Sequence, residues 1–227
     1  MIRDRIAKIE ENIARICQKS GRNPKEITLV GVTKYSTTAQ IQEAIKAGLK
    51  HVAENRVQEA VQKFPLLKSV TKHLIGHLQT NKVKAALTVV DLIQSVDSLK
   101  LAQEIAKHAQ KLNRSIDVLI EVNTSGEEQK YGLKSEDVLP LLQALQPLKE
   151  IRVRGLMTMA PYTDDQAIMR RCFQLLRKMR DHVSQNFAGS SQVQMKYLSM
   201  GMSGDYEIAI EEGSNMVRIG SAIFKEN

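Results

Sequence analysis

Tryptophan is absent from this chain, and aromatic residues make up only 4% of it. Proteins that bind single-stranded nucleic acid stack the bases on arrays of aromatic side chains, and no such array occurs here. We therefore interpret the net charge of +8 as solvated lysine and arginine dispersed over helix faces. Examples are Lys107, Lys111, Arg114, Arg177, Lys178 and Arg180. Nucleic acid is not the expected partner.

Cysteine is scarce too, and long apolar runs are missing. Cys17 and Cys172 lie far apart in segments of helical period, without the close spacing of metal or redox motifs, so we expect both to be small buried residues. No apolar run approaches the roughly 18 residues of a membrane helix. The first residues mix both charge signs and lack the apolar segment of a secretory signal. These absences predict a soluble, cytoplasmic protein with no membrane association.

Eight apolar, β-branched segments alternate with segments of helical period. The predicted strands are 27–33, 51–54, 73–76, 92–96, 116–122, 151–157, 196–200 and 215–220. The main predicted helices are 38–48, 56–67, 81–89, 98–112, 135–145 and 164–183. Because no long linker interrupts this order, residues 1–227 are expected to form one domain, a (β/α)₈ barrel of the TIM type. An open doubly wound sheet is the competing fold, but its Gly-x-Gly-x-x-Gly loop is missing.

An additional helix is predicted before the first strand. Its isoleucines recur every three or four residues along one stripe and end near Gly21. They are Ile2, Ile6, Ile9, Ile13 and Ile16. This helix is expected to cover the barrel wall that is left bare after the eighth strand.

Lys34 ends one apolar strand, and Arg218 lies inside another. A lysine that closes a buried strand is costly unless it meets an anion, reaches water, or becomes a reactive amine. Barrel closure makes the first and eighth strands neighbours, and the alternation of side chains along each strand points both residues inward. The sequence thus predicts that Lys34 and Arg218 meet at one end of the barrel.

Polar residues follow the predicted strands at the carboxyl end of the barrel, where such barrels carry their chemistry. They are Lys34, Glu54, Asn55, His77, Asn123, Thr158, Ser199 and Ser221. Loops seven and eight, with Ser203 and with Gly220 and Ser221, offer backbone N–H groups to a phosphate. Ser203 could instead cap the following helix with its own hydroxyl. Joined to a reactive Lys34, the phosphate interpretation describes pyridoxal 5′-phosphate (PLP).

A metal site is not expected. His73 and His77 are four residues apart, but they flank a strand pattern in which that spacing spans roughly 13 Å. The two imidazoles could not share an ion there. No Gly-x-Ser-x-Gly nucleophile motif is present either.

The motifs resemble those of the pyridoxal phosphate homeostasis proteins, from the first helix to the last residues. The segments that carry the resemblance are Val32-Thr33-Lys34, Glu54-Asn55-Arg56-Val57-Gln58-Glu59, His73-Leu74-Ile75-Gly76-His77-Leu78-Gln79-Thr80-Asn81-Lys82, Gly155-Leu156-Met157, Leu198-Ser199-Met200-Gly201-Met202-Ser203 and Val217-Arg218-Ile219-Gly220. The chain departs from the family pattern at Val52-Ala53, Lys72, Ser221 and Lys225.

This resemblance implies a fold-type III PLP barrel of the alanine-racemase N-terminal type, without the C-terminal β domain of the racemases. It implies a PLP Schiff base on Lys34, with Asn55 beside the cofactor and Arg218 at the pyridine nitrogen. It further implies a phosphate site that includes Met202, Ser203, Gly220 and Ser221. No residue is expected to be catalytic.

The resemblance favours a monomeric protein that holds, buffers or delivers PLP over an enzyme. An arginine at the ring nitrogen leaves that nitrogen unprotonated and weakens the electron sink, and the chain ends at Asn227, too soon for a second domain. PLP-requiring apo-enzymes or a regulatory protein are the expected partners. Two alternatives stay open: a small PLP-dependent amino-acid racemase, and a binding protein that uses its basic helix faces.

Overall fold

A closed barrel of eight parallel strands forms the centre of the protein, in the order β1 to β8. The computed structural model describes residues 1–127 and 129–225. The strands are β1 (Thr28–Val32), β2 (His51–Glu54), β3 (Thr71–Leu74), β4 (Leu92–Val96), β5 (Ile116–Glu121), β6 (Ile151–Met157), β7 (Val193–Ser199) and β8 (Met216–Ile219). β1 pairs with β8, Val30 lying opposite Arg218, so the two ends of the chain meet as predicted.

Helices connect the strands and cover the outside of the barrel. They are α1 (Ile2–Lys19), α2 (Thr38–Lys46), α3 (Val57–Lys63), α4 (Val83–Leu87), α5 (Leu99–Lys111), α6 (Val138–Leu145), α7 (Gln166–Asn186), α8 (Tyr206–Glu211) and α9 (Ser221–Phe224). α1 buries its isoleucine stripe and packs against α2, α8 and α9, which confirms its predicted role as a cover for the closing strands.

Two strand predictions were displaced along the chain. β3 was predicted at 73–76 but occupies Thr71–Leu74, and β7 begins at Val193, three residues before its predicted start. Gln194 and Lys196 alternate outward to solvent along β7, so this part of the strand carries no apolar run that the sequence could reveal.

The apolar core has two layers, one on each side of the barrel wall. The inner layer consists of Val30, Val32, Ala53, Leu92, Leu119, Met157 and Met216. The larger outer layer lies between strands and helices and includes Val217 and Ile219, on the face of β8 opposite Arg218. Both cysteines are buried and free, as expected. The inward direction predicted for Arg218 is therefore confirmed, but Lys34, which was predicted to point inward beside it, lies beyond the end of β1 and is exposed.

Candidate functional site

Lys34 lies at the carboxyl rim of the barrel, two residues beyond the end of β1. The sequence had predicted that Lys34 closes a buried strand. In the structure β1 ends before it, and its side chain is exposed in a turn. Tyr35, the next residue, adopts a left-handed backbone conformation with φ of 65° and is 89% exposed. Such strained backbone in a non-glycine residue is concentrated at functional sites. The turn therefore leaves Lys34 exposed at the rim.

Arg218 occupies the interior of the barrel beneath this rim and is only 3% exposed. Its Nη1 donates to Ser199 Oγ at 2.7 Å, and its Nη2 donates to the Thr158 carbonyl at 2.8 Å. Burial lowers its pKa to about 10, and Asp205 and Glu121 act in the opposite direction, so the guanidinium is charged at neutral pH. A guanidinium has five N–H donors, and these two bonds leave others for a ligand.

A chain of hydrogen bonds runs from Arg218 across the barrel. Ser199 accepts from Arg218 and donates to Gln94 Oε1 at 2.7 Å, and Gln94 Nε2 lies 2.8 Å from His73 Nδ1. The remaining ring nitrogen of His73 lies 3.1 Å from His51 Nδ1. Arginine can only donate, so the Ser199 hydroxyl accepts from it and donates to the Gln94 carbonyl oxygen. The Gln94 amide nitrogen then donates to Nδ1 of His73, and the proton of the neutral ring is on Nε2. The chain holds Arg218 in place and sets the tautomer of His73.

Two turns supply the residues predicted to hold a phosphate. Met202 and Ser203 lie in the turn before α8, and Gly220 and Ser221 lie at the start of α9. Ser203 does not cap α8, because the capping position belongs to Asp205. A Cβ atom at Gly220 would lie 3.3 Å from Val32 Cβ, so glycine keeps the ends of β1 and β8 close together.

Asn55 is exposed at the end of β2, and the backbone beneath it is tightly packed. A Cβ atom at Gly76 would lie 2.1 Å from the Asn55 carbonyl oxygen. The preceding residue, Glu54, is completely buried, and its Oε1 accepts from Thr33 Oγ1 at 2.7 Å and from Lys63 Nζ at 2.8 Å. Glu54 therefore ties the end of β1 to α3.

Other polar residues of the rim hold loops in place. Asn123 Oδ1 accepts from the backbone N–H of Ser125 and Gly126, which shapes the loop after β5. His77 Nδ1 lies 3.4 Å from Asp97 Oδ2, and its ring stacks on Tyr131 with 4.1 Å between centroids. His73 and His77 thus face different partners. Among the described residues, no cluster of His, Cys, Asp and Glu side chains could hold a metal ion.

Two cavities open on this face of the barrel. The first has a volume of about 510 Å³ and is lined by residues that include Asn55, Arg56, His77 and Lys82. The second, of about 300 Å³, is lined by Glu121, Met202 and the loop after β5. Tyr131 lines both cavities and separates them. Of the predicted site residues, Asn55 belongs to the first cavity and Met202 to the second.

The sequence did not reveal two buried residues of this site, Glu121 and Gln94. Glu121 ends β5 and is 3% exposed, and Gln94 lies inside β4 and is completely buried. Both interrupt apolar strands, as Arg218 does, and this pattern could have identified them. Burial and, to a smaller extent, the charge of Asp97 raise the pKa of Glu121 to about 7, although Arg218 acts in the opposite direction.

We expect Glu121→Gln to change the pH dependence of stability. Protonated Glu121 stabilises the fold below pH 4.5, and that contribution is lost as the pH rises through about 7. His73, with a pKa lowered to about 3 by burial and by His51, acts oppositely, because its stabilisation is present above pH 6.5 and lost on acidification. Between pH 4.5 and 6.5, Glu121 makes the parent protein less stable as the pH rises, whereas His73 makes it more stable. At pH 8 the variant should be more stable than the parent by up to about 3 kcal/mol, because it has no buried carboxylate to ionise. Below pH 6 the free energy of unfolding of the variant should fall by about 1.4 kcal/mol per pH unit, because His73 remains and Glu121 no longer offsets it.

Urea unfolding of both proteins from pH 4.5 to 8 measures this difference. Glu136→Gln, at an exposed carboxylate, serves as the matched control and should parallel the parent protein. Parallel curves for Glu121→Gln and the parent would show that the Glu121 pKa is not raised by folding.

Within the residues that the structure describes, no helix is both long enough and apolar enough to cross a membrane.

The family model described as "Alanine racemase, N-terminal domain" matches residues 5–227. The pyridoxal phosphate homeostasis protein of Aquifex aeolicus (strain VF5) is 42% identical over 225 residues, which cover 98% of this chain and 97% of that protein. Its counterpart in Pseudomonas aeruginosa is 35% identical, with 98% of this chain and 94% of that protein covered.

Solved structures give the same result. PipY of Synechococcus elongatus PCC7942, solved with PLP bound, superimposes with a TM-score of 0.85 at 32% identity and covers 99% of this chain and all of that one. Alanine racemase of Clostridium difficile 630 has a TM-score of 0.75 at 18% identity, which shows the fold alone. There the match covers 96% of this chain and 55% of the racemase. With the barrel, its rim and these relatives in agreement, the chain belongs to the pyridoxal phosphate homeostasis protein family.

Proposed function

We propose that this protein carries PLP as a Schiff base on Lys34 and buffers or delivers it, with no turnover of an amino acid of its own. The observation on which the proposal mainly rests is Arg218, a charged and buried guanidinium beneath the rim that carries Lys34. The related PipY protein, whose solved structure contains PLP, supports the choice of cofactor.

The residues at the rim carry groups that would bind the phosphate and the ring of PLP. The turns with Met202 and Ser203 and with Gly220 and Ser221 offer backbone N–H groups and hydroxyls to a phosphate. The N–H groups of Asp205 and Tyr206 both donate to the Met202 carbonyl, so Ser203 and Gly204 are the donors that remain in the first turn. Asn55 is assigned to the ring edge, and Arg218 to the ring nitrogen.

Arg218 argues for a carrier and against an efficient enzyme. PLP supplies an electron sink for carbanion chemistry, and this sink is strongest when its ring nitrogen is protonated. A guanidinium donates a hydrogen bond to that nitrogen but does not give up its proton at neutral pH. The hydrogen bonds to Ser199 and Thr158 fix the position of the guanidinium, which supports this assignment. The protein is proposed to act as a monomer and to pass PLP to apo-enzymes that require it.

The test is to add PLP to the purified protein, record the absorption spectrum, reduce with borohydride and identify the modified peptide by mass spectrometry. One modified lysine, Lys34, is the expected result. Label spread over many surface lysines would overturn the proposed site. Incubation of the loaded protein with L-alanine should leave the amino acid unchanged, and sustained racemisation would overturn the carrier role in favour of a small racemase.

Delivery is tested separately, with a PLP-dependent apo-enzyme as acceptor. The rate at which PLP is released into solution is first measured with an excess of a protein that traps free PLP. The loaded protein should activate the acceptor at a rate higher than this release rate. Equal rates would mean that PLP passes through solution, and the protein would then be a buffer only.

A further inference from the structure

Glu121 is a buried carboxylate with an unsatisfied oxygen. The residue is 3% exposed, and among the described residues no hydrogen-bond partner lies within reach of its Oε2. A buried ionised carboxylate without a partner is costly, and native proteins keep such groups mainly where a ligand or a function requires them. No role in the proposed attachment of PLP uses this side chain.

The loop after β5 folds closely over Glu121. The N–H of Leu133 donates to the Glu121 carbonyl at 2.8 Å, and the N–H of Asn123 donates to the Leu133 carbonyl at 2.9 Å. A Cβ atom at Gly132, where φ is 108°, would lie 3.3 Å from Glu121 Cγ and 2.7 Å from the Asn123 nitrogen. The backbone of this loop therefore packs closely against the main chain and the Cγ atom of Glu121.

The second cavity opens beside this carboxylate and has mainly apolar walls. Its volume of about 300 Å³ exceeds that of a small organic molecule of five or six heavy atoms. The walls are formed by Val122, Tyr131, Met159, Ala160, Tyr162 and Met202. Met159, Tyr162 and Met202 are exposed despite their size, which is unusual for apolar side chains that line one concave surface.

We propose that this cavity binds a compact primary amine with an apolar body, whose ammonium group donates to Glu121 while its hydrocarbon part contacts the methionine and tyrosine walls. A cation compensates a buried carboxylate more fully than a neutral donor does.

The charges around Glu121 determine how this binding depends on pH. Asp97, beyond the end of β4, adds negative charge, and Arg218 on β8 adds positive charge. Lys130 lines the cavity, but its Nζ is engaged by Glu127 Oε2 at 2.5 Å and by the Ala160 carbonyl at 3.3 Å. Since Glu121 titrates with a pKa of about 7, the amine should bind about tenfold more tightly at pH 8 than at pH 6.

The site adjoins the proposed cofactor. Met202 lines the cavity and also belongs to the turn assigned to the phosphate. Primary amines condense with aldehydes once they are unprotonated. An ammonium that gave its proton to the Glu121 carboxylate could form a new C=N bond to PLP while the C=N bond to Lys34 breaks and Lys34 leaves as the free amine. That link rests on the proposed function, whereas binding of the amine does not.

Calorimetry with 3-methylbutylamine, on full-length Lys34→Ala protein without PLP, tests the site independently of any Schiff base. The isosteric alcohol, 3-methylbutan-1-ol, is the matched probe without the charge. We expect the alcohol to bind at least about tenfold more weakly, as the loss of one charge-assisted hydrogen bond predicts. Glu121→Gln should weaken binding of the amine by a similar factor, while Glu136→Gln leaves it unchanged.

Equal binding of amine and alcohol, or of the amine to Glu121→Gln and its parent, would overturn the proposal. The pH comparison needs no substitution at Glu121, and an affinity that does not change between pH 6 and 8 would overturn it as well. Failure of PLP to label Lys34 would leave all these results standing, so the two proposals fail separately.

Discussion

Replacing Lys34 by alanine is expected to abolish the borohydride-stable PLP adduct completely, while the fold is retained. The side chain is exposed in a turn beyond β1, so its removal costs little stability. Only a primary amine can form a Schiff base with the aldehyde of PLP, so alanine at this position removes the proposed point of attachment. Absorption spectra and peptide mapping of the parent and the variant measure the loss.

Lys63 is the lysine that could compete with Lys34. Its Nζ donates to the Thr33 carbonyl at 3.1 Å, one residue before Lys34. Burial tends to lower its pKa, but hydrogen bonds and charge from Glu54 and Glu59 outweigh that effect and raise the pKa. Lys63 is therefore held protonated, and a protonated amine is not a nucleophile.

Lys82→Ala is the matched control, because Lys82 lines the neighbouring cavity near Asn55 without being assigned to the cofactor. It should keep the full adduct at Lys34. Lys34→Arg keeps the positive charge but offers no condensing amine, so it should bind PLP without a covalent bond. A parent-like adduct in Lys34→Ala would move the attachment site to another lysine.

The order of strands and helices could be predicted from the sequence because each apolar segment is short and clearly bounded. The inward direction of Arg218 could also be predicted, because side chains along a strand point alternately to its two faces. Arg218 shares a face with Met216 in the inner layer, and Val217 lies in the outer layer. Barrel closure then placed β1 beside β8, as the structure confirms. The strand order and the direction of Arg218 thus follow from the local hydrophobic pattern, together with the rule that a barrel of eight strands closes by pairing the first strand with the last.

The environment of each side chain could not be predicted in this way. Glu54 meets Lys63, nine residues away, only because α3 returns along the barrel wall. Gln94 meets Ser199 across the barrel, at a sequence separation of 105 residues. Lys34 was expected to end a buried strand, yet β1 stops at Val32. Such contacts depend on the packed barrel, and no local spacing encodes them.

Gly76→Ala is expected to destabilise the protein by about 3 kcal/mol or more and to weaken PLP binding together with it. The added Cβ atom would lie 2.1 Å from the carbonyl oxygen of Asn55 and 2.9 Å from its carbonyl carbon. Both are backbone atoms, so no side-chain rotation relieves the overlap. Urea unfolding and PLP titration of the same samples measure the two effects.

The segment that contains Gly76 cannot retreat from this overlap, because it is held on both sides. The Gly76 carbonyl accepts from Ser95 Oγ at 2.7 Å, and the N–H of Ile75 donates to the Glu54 carbonyl at 3.0 Å. The strain must therefore move Asn55, which is assigned to the cofactor. Gly204→Ala is the control for stability alone, because Gly204 belongs to the turn proposed to hold the phosphate. Its added Cβ would meet no atom within 4 Å, so its free energy of unfolding should change by less than about 0.5 kcal/mol. If the two variants unfolded at the same urea concentration, the close approach of Gly76 to Asn55 would not exist in solution, and the position of Asn55 at the rim would have to be revised.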